Sequence, residues 1–178
     1  MIQRKKLTKN LYLKEVDIKD VDYILKLRTD KYLSKYLNHT PNNRKKQIKW
    51  LKDYFIRRKK KEEYYFIFQI KKNSSYKNLG FSRIIKIKND TFHFGGWILQ
   101  KNNKPWIALE CCLAIYEYAF NYLNYKKCLL WINLKNLAVI KYHKSLGAKY
   151  VKKDKKEIFL KFNFNNYREL KKKFNFFY

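Results

Sequence analysis

The chain has 178 residues, of which 46% are hydrophobic, enough for one domain with a sizeable core. Its 43 Lys and Arg outweigh 14 Asp and Glu to give a formal net charge of +29, and its three Cys are too few and odd in number for a disulfide framework, so a reducing cytoplasm is the simplest compartment. No apolar run approaches the roughly eighteen residues of a membrane span, and no apolar stretch follows the basic start at Met1–Lys6, which predicts neither a transmembrane helix nor a secretory signal.

The charge has two possible origins. Nucleic-acid binding would gather it into a stripe. Drift toward AT-rich codons would scatter it, and would also enrich Asn, Ile, Tyr and Phe. The lysines are spread from Lys5 to Lys173, and those other residues are abundant. Drift accounts for the pattern better, so nucleic acid is an unexpected partner, although the charge would still draw small anions.

Taken in order, Leu11, Leu13 and Val16 predict a first strand. Val21, Ile24, Leu25 and Leu27 recur at helical spacing, with Asp17 or Asp20 available as a cap. Tyr32, Leu33, Tyr36 and Leu37 suggest a short helix or turn, and the break at His39–Asn43 follows. Ile48, Leu51 and Phe55 mark a second helix whose basic end, Arg57–Lys61, reads as a solvated terminus that complements the helix dipole.

Three antiparallel strands come next, Tyr64–Ile70, Leu79–Lys88 and Phe92–Gln100, with a turn over Lys71–Asn78 and a hairpin at Asn89-Asp90. A turn, Lys101–Pro105, leads into a long helix, Trp106–Asn124, in which Pro105 suits the first turn. Cys128–Ile132 is a strand, and Asn136 opens a short helix that ends at Gly147. Tyr150-Val151 and Ile158–Phe164 form a last pair around a charged hairpin, Lys152–Lys156. The basic tail, 166–178, reads as a short amphipathic helix packed on the domain. The order is that of a mixed, mostly antiparallel α/β sheet with helices on both faces, in one domain over 1–178 with a core of about 11–164.

Two stretches carry chemistry. A strand running into the Lys101–Pro105 turn and a helix start offers unpaired N–H groups and positive charge to a phosphate. Gly95-Gly96 in mid-strand marks a bulge or a close backbone approach. Downstream stand Asn136, Val139, His143 and Gly147-Ala148.

That series, together with Gly96–Gln100 before the turn, resembles the GNAT superfamily of N-acetyltransferases over roughly Leu11–Phe164. The resemblance implies a GNAT-like fold whose sheet splays between the fourth and fifth predicted strands, Phe92–Gln100 and Cys128–Ile132. It implies acetyl-coenzyme A as co-substrate, with no metal. Gln100 matches the start of the family's pyrophosphate loop, whereas Asn103 and Pro105 stand where that loop has glycines. The cofactor-binding residues implied are Trp97, Ile98, Leu99, Gln100, Asn103, Lys104, Trp106, Asn136 and His143. The backbone near Trp97–Leu99 would polarise the thioester carbonyl, and Asn136 would contact the pantetheine arm or simply cap its helix.

His143 replaces the family's usual Tyr, the acid that protonates the leaving thiolate; an imidazole titrating near neutrality suits that task, with Tyr142 as its neighbour and rival. The base is His93, on the face of the strand shared by Gly95 and Trp97, or Glu110, or water alone. Arg28-x-Asp30 and Gln47-x-x-Trp50-Leu51 resemble the acceptor side of relatives that acetylate nucleotide-linked amino-sugars, and also of ribosomal-protein alanine acetyltransferases. Arg28, Trp50 and Arg83 would then meet the acceptor, although either arginine could instead form a structural ion pair. The expected partners are acetyl-coenzyme A and a small amine, such as that of a nucleotide-sugar, bound by a monomer or homodimer.

Overall fold

A computed structural model describes residues 4–178. Eight strands make one sheet in the order β1-β2-β3-β4-β5-β6-β8-β7. They are β1 (Arg4–Lys6), β2 (Leu11–Glu15), β3 (Glu63–Lys72), β4 (Ser75–Lys88), β5 (Thr91–Leu99), β6 (Lys127–Asn133), β7 (Lys149–Lys153) and β8 (Glu157–Asn163). The helices are α1 (Val21–Thr29), α2 (Arg44–Lys59), α3 (Trp106–Glu117), α4 (Leu137–Ser145) and α5 (Phe164–Lys173).

Strand periodicity builds two cores. On β3, Tyr64, Phe66 and Phe68 point one way and pack with Leu11, Leu13, Phe92 and the α3 side chains. Tyr65 and Ile67 point the other way and pack with Val21, Ile24 and Leu27 of α1 and Leu51 and Tyr54 of α2. Helices therefore cover both faces. Helix α3 is buried from Cys111 to Tyr116, because the sheet lies on one side and α5 and the C-terminal turn on the other. Tyr167, Leu170 and Phe177 join that core, so the basic tail packs down on the domain.

Several boundaries differ from the sequence reading. Strand β1, three exposed basic residues, carries no hydrophobic alternation and was not expected; it pairs with β2. The 71–78 turn shrinks to Asn73-Ser74, with Asn73 left-handed at φ 51°, and β4 starts at Ser75. Of the two alternatives read for this stretch, short helix or turn, residues 31–36 take the turn. The long helix is α-helical only to Glu117; Tyr118–Tyr122 is a wider π-turn, in which Leu123 N–H donates to the Tyr118 carbonyl at 3.1 Å. The α2 end is not wholly solvated: Arg57 pairs with Glu63, and Arg58 with Glu15.

The feature that positions the site is the join of β5 to β6. These strands are parallel and pair only at Thr91–Lys127, Phe92–Cys128 and His93–Leu129. Beyond His93 they separate, as the splay read from sequence requires. On the other edge of β5, the register with β4 slips between Phe81 and Arg83, so Gly96-Trp97 bulges out, with Gly96 at φ +60°. Both disruptions leave backbone and side chains of β5 facing open space.

Candidate active site

The separated strands frame a cavity of about 160 Å³. Phe94, Gly95, Gly96 and Trp97 line one side, and Leu130, Trp131, Ile132 and Asn133 the other. Asn136, Val139 and His143 of α4 close it. A second cavity, about 370 Å³, lies against α1, α2 and the loop between them. The two share Arg28, Asn38, Arg83 and Gly96, so they meet at the bulge.

Helix α4 starts and stops on local signals. The Asn136 side chain accepts from Val139 N–H at 3.4 Å. Gly147, at φ +100°, then lets the Ala148 N–H turn back to the His143 carbonyl at 3.0 Å. With its oxygen engaged, Asn136 keeps its amide NH₂ free for the cavity. About two turns along, His143 is buried between Phe94 and Trp97, with ring centroids 5.8 and 5.9 Å away, and its Nδ1 has no hydrogen-bond partner among the described residues. Burial pushes its pKa down to about 4. The ring is therefore neutral near pH 7, contrary to the expectation of titration near neutrality.

His93 occupies the last paired position before the strands part. Its Nδ1 lies 3.0 Å from the Leu129 carbonyl. A carbonyl only accepts, so Nδ1 carries the proton and Nε2 the lone pair. The ring stacks on Trp131 at 3.4 Å, and Nε2 lies over Gly95, where a Cβ would sit 2.1 Å from it. Burial pushes this pKa to about 4 as well, against the smaller pull of the Leu129 carbonyl.

The larger cavity is cationic. Arg28, Lys46 and Arg83 line it with Trp50, and no Asp or Glu does. Arg28 donates from Nε to Thr40 Oγ1 at 2.9 Å and from Nη2 to the Asn38 carbonyl at 2.8 Å, and has no carboxylate partner among the described residues. Burial lowers its pKa. Arg83 is different: its Nη1 donates to the buried Glu63 at 3.1 Å.

The sequence-derived residues thus divide. Trp97, Asn136, His143 and His93 converge on the smaller cavity, Trp50 lines the larger, and Arg28 and Arg83 border both. Tyr142 lines neither; burial raises its pKa and its ring packs on Trp97. Ile98 belongs to the α1/α2 core. Leu99, Gln100, Asn103, Lys104 and Trp106 lie outside both linings: Asn103 ties the turn together through the Leu79 and Gln100 carbonyls, and Trp106 packs on Phe177. No side chain caps the start of α3. Glu110 is fully buried away from the cavities and accepts from Thr8 Oγ1 and Asn10 N–H at 2.7 and 2.8 Å.

Sequence reasoning missed Trp131, Thr40 and Glu63. Trp131 sits in an alternating strand, indistinguishable from core. Thr40 lies in what reads as a break, and Glu63 in a charged run.

A parallel pair of strands splayed beside a β-bulge, with α4 beneath, defines the class. Residues 10–149 match the acetyltransferase (GNAT) domain family, and the chain belongs to that family. Among solved structures it is similar to apo FdhC, a nucleotide-linked sugar GNAT, at 26% identity and TM-score 0.87, with 99% of each chain covered. It is also similar to spermidine N-acetyltransferase from Vibrio cholerae in complex with CoA and spermine, at 15% identity and TM-score 0.71, covering 89% of this chain and 98% of that one. The ribosomal L7/L12 α-N-protein acetyltransferase RimL in complex with coenzyme A shares 11% identity at TM-score 0.76, covering 92% and 99%. No curated protein matches the sequence. The chain is an acetyl-CoA-dependent N-acetyltransferase.

Proposed function

We propose that the protein transfers an acetyl group from acetyl-coenzyme A to the amine of a nucleotide-linked amino-sugar. The observation that carries this reading is the cationic, acid-free lining of the larger cavity, with Arg28 lacking a carboxylate partner. A diphosphate would supply the missing charge, and a planar guanidinium pairs two of its oxygens. A polyamine would meet repulsion from Arg28, Lys46 and Arg83. The similarity to FdhC points to the same acceptor class.

On this reading the pantetheine arm enters between β5 and β6, where Asn136 offers its amide, and the diphosphate of the cofactor lies at the uncapped start of α3, near Lys104. When bound, acetyl-coenzyme A supplies the activated carbonyl. The backbone of the β5 bulge receives the developing oxyanion. As the amine nitrogen bonds to the carbonyl carbon it becomes far more acidic than the free amine, so His93 Nε2, though a weak base, can take its proton. The C–S bond then breaks, and His143 hydrogen-bonds the departing thiolate. Three unpaired, buried cysteines suit a reducing cytoplasm.

Acetyl transfer is measured by thiol release with three acceptors at equal concentration: a UDP-linked amino-sugar, spermidine and a peptide with a free N-terminal alanine. The amino-sugar is expected to give the highest kcat/KM. Faster turnover of the peptide would assign a protein N-terminus, and of spermidine would overturn the charge argument.

A further inference from the structure

Glu63, the first residue of β3, lines neither cavity, yet it is 3% exposed. A carboxylate so deep is retained only with partners that satisfy it. Its two oxygens are divided between two arginines: Oε2 accepts from Arg57 Nε at 2.7 Å and Oε1 from Arg83 Nη1 at 3.1 Å. Both guanidiniums lie over Trp50, at 5.2 Å for Arg57 and 5.4 Å for Arg83. The other edge of Arg83 lies against the bulge, where a Cβ on Gly96 would sit 2.8 Å from its Nε. One carboxylate thereby fixes two cations, an indole wall of the larger cavity and the side chain where both cavities meet.

We infer that Glu63 is a positioning residue for acetyl transfer, holding Arg83 at the junction so that its remaining N–H groups face the acceptor while Arg28 supplies the unneutralised charge. The inference rests on the proposed acceptor side of the site. Without the carboxylate, Arg83 swings about its long side chain, and transfer suffers because reacting groups must be aligned closely. The cofactor's cavity contains neither Glu63 nor Arg57 and meets Arg83 only at its junction with the larger one, while Asn136 and His143 stay in place, so cofactor affinity changes little.

The test compares wild type with Glu63→Gln, Glu63→Asp, Arg83→Lys and the Glu63→Gln/Arg83→Lys double variant. Steady-state kinetics use acetyl-coenzyme A and a UDP-linked amino-sugar, and nitrogen-15 spectra follow the Arg83 Nη signals, which resolve only while the guanidinium is held. Glu63→Gln is expected to lower acceptor kcat/KM about 30-fold or more, with the acetyl-coenzyme A KM within about threefold, and to merge the Nη signals. Glu63→Asp recovers part of the loss. In the Arg83→Lys background the Glu63→Gln change adds little, because both act through one side chain. Additive losses, or unchanged Nη signals in Glu63→Gln, overturn the inference. Should Glu63→Gln fail to fold, Glu63→Asp carries the Nη readout, and Glu63→Asp alone and in the Arg83→Lys background carries the kinetic comparison. If wild type ignores the amino-sugar, the acceptor reading fails alone, and the Nη signals still decide whether Glu63 holds Arg83.

Discussion

Two neutral histidines face the gap between β5 and β6 for different reasons. His93 is held by the carbonyl that β5 leaves behind as it parts from β6, and its tautomer is fixed. His143 is buried among rings with Nδ1 unpaired, free to serve the leaving group. His143→Ala is expected to lower kcat about a hundredfold, within the usual range for losing one hydrogen-bond donor aimed at developing charge, while acetyl-coenzyme A affinity stays within a few fold; calorimetry beside rate measurement separates the two. The same burial ties stability to pH. Each histidine falls from 6.5 to about 4 on folding, so between those values the unfolded chain binds more protons than the native one. The stabilisation is intact above pH 6.5 and lost as pH falls toward 4, up to about 3 kcal/mol per ring. In urea unfolding at pH 7 and pH 4.5, His93→Gln is expected to lose less stability on acidification than wild type; equal losses would contradict its burial as a neutral ring.

At the scale of elements, α3 is the beam on which the sheet and the termini rest, and its two carboxylates are ties. Glu110 receives Thr8 and Asn10 from the β1–β2 loop, while Glu117 receives Tyr167 and Lys171 of α5. Neither tie touches the cavities. Glu110→Ala removes an acceptor from three donors, counting Asn10 Nδ2 at 3.3 Å, and leaves a void. A loss of about 3 kcal/mol in urea unfolding is expected, with the KM for acetyl-coenzyme A unchanged in the folded fraction. Reading Glu110 in the sequence as a base or a structural acceptor left the matter open, because a carboxylate in an apolar helix has the same signature in both roles. Its partners are about a hundred residues away in sequence.

For the whole molecule, charge and shape contribute separately. A net charge of +29 attracts any polyanion, and salt screens that attraction over roughly 8–10 Å at physiological ionic strength. A shaped site retains binding when salt removes the general field. Calorimetric titration of acetyl-coenzyme A is expected to show a salt-resistant component. Lys104→Glu, at the exposed turn before α3, should weaken binding several-fold at low salt and much less at high salt; equal affinity in both proteins would remove that turn from the site.

The sequence by itself determined the element order from β2 onward, the two-sided sheet, the mid-strand bulge and the helix closed by Gly147, because each depends on local periodicity or on a residue whose backbone preference is strong. From these the family was legible through Asn136, His143 and their spacing. Only the tertiary structure decided which side chains share a cavity. Trp131 meets His93 across a strand break, Glu63 joins Arg57 to Arg83 beside an aromatic wall, and Arg57 and Arg58 of the basic run turned inward to acids from β3 and β2 while Lys59–Lys61 stayed exposed. Such contacts join residues distant in sequence, and whether a charge is solvated, paired or aimed into a cavity depends on what the fold brings opposite it.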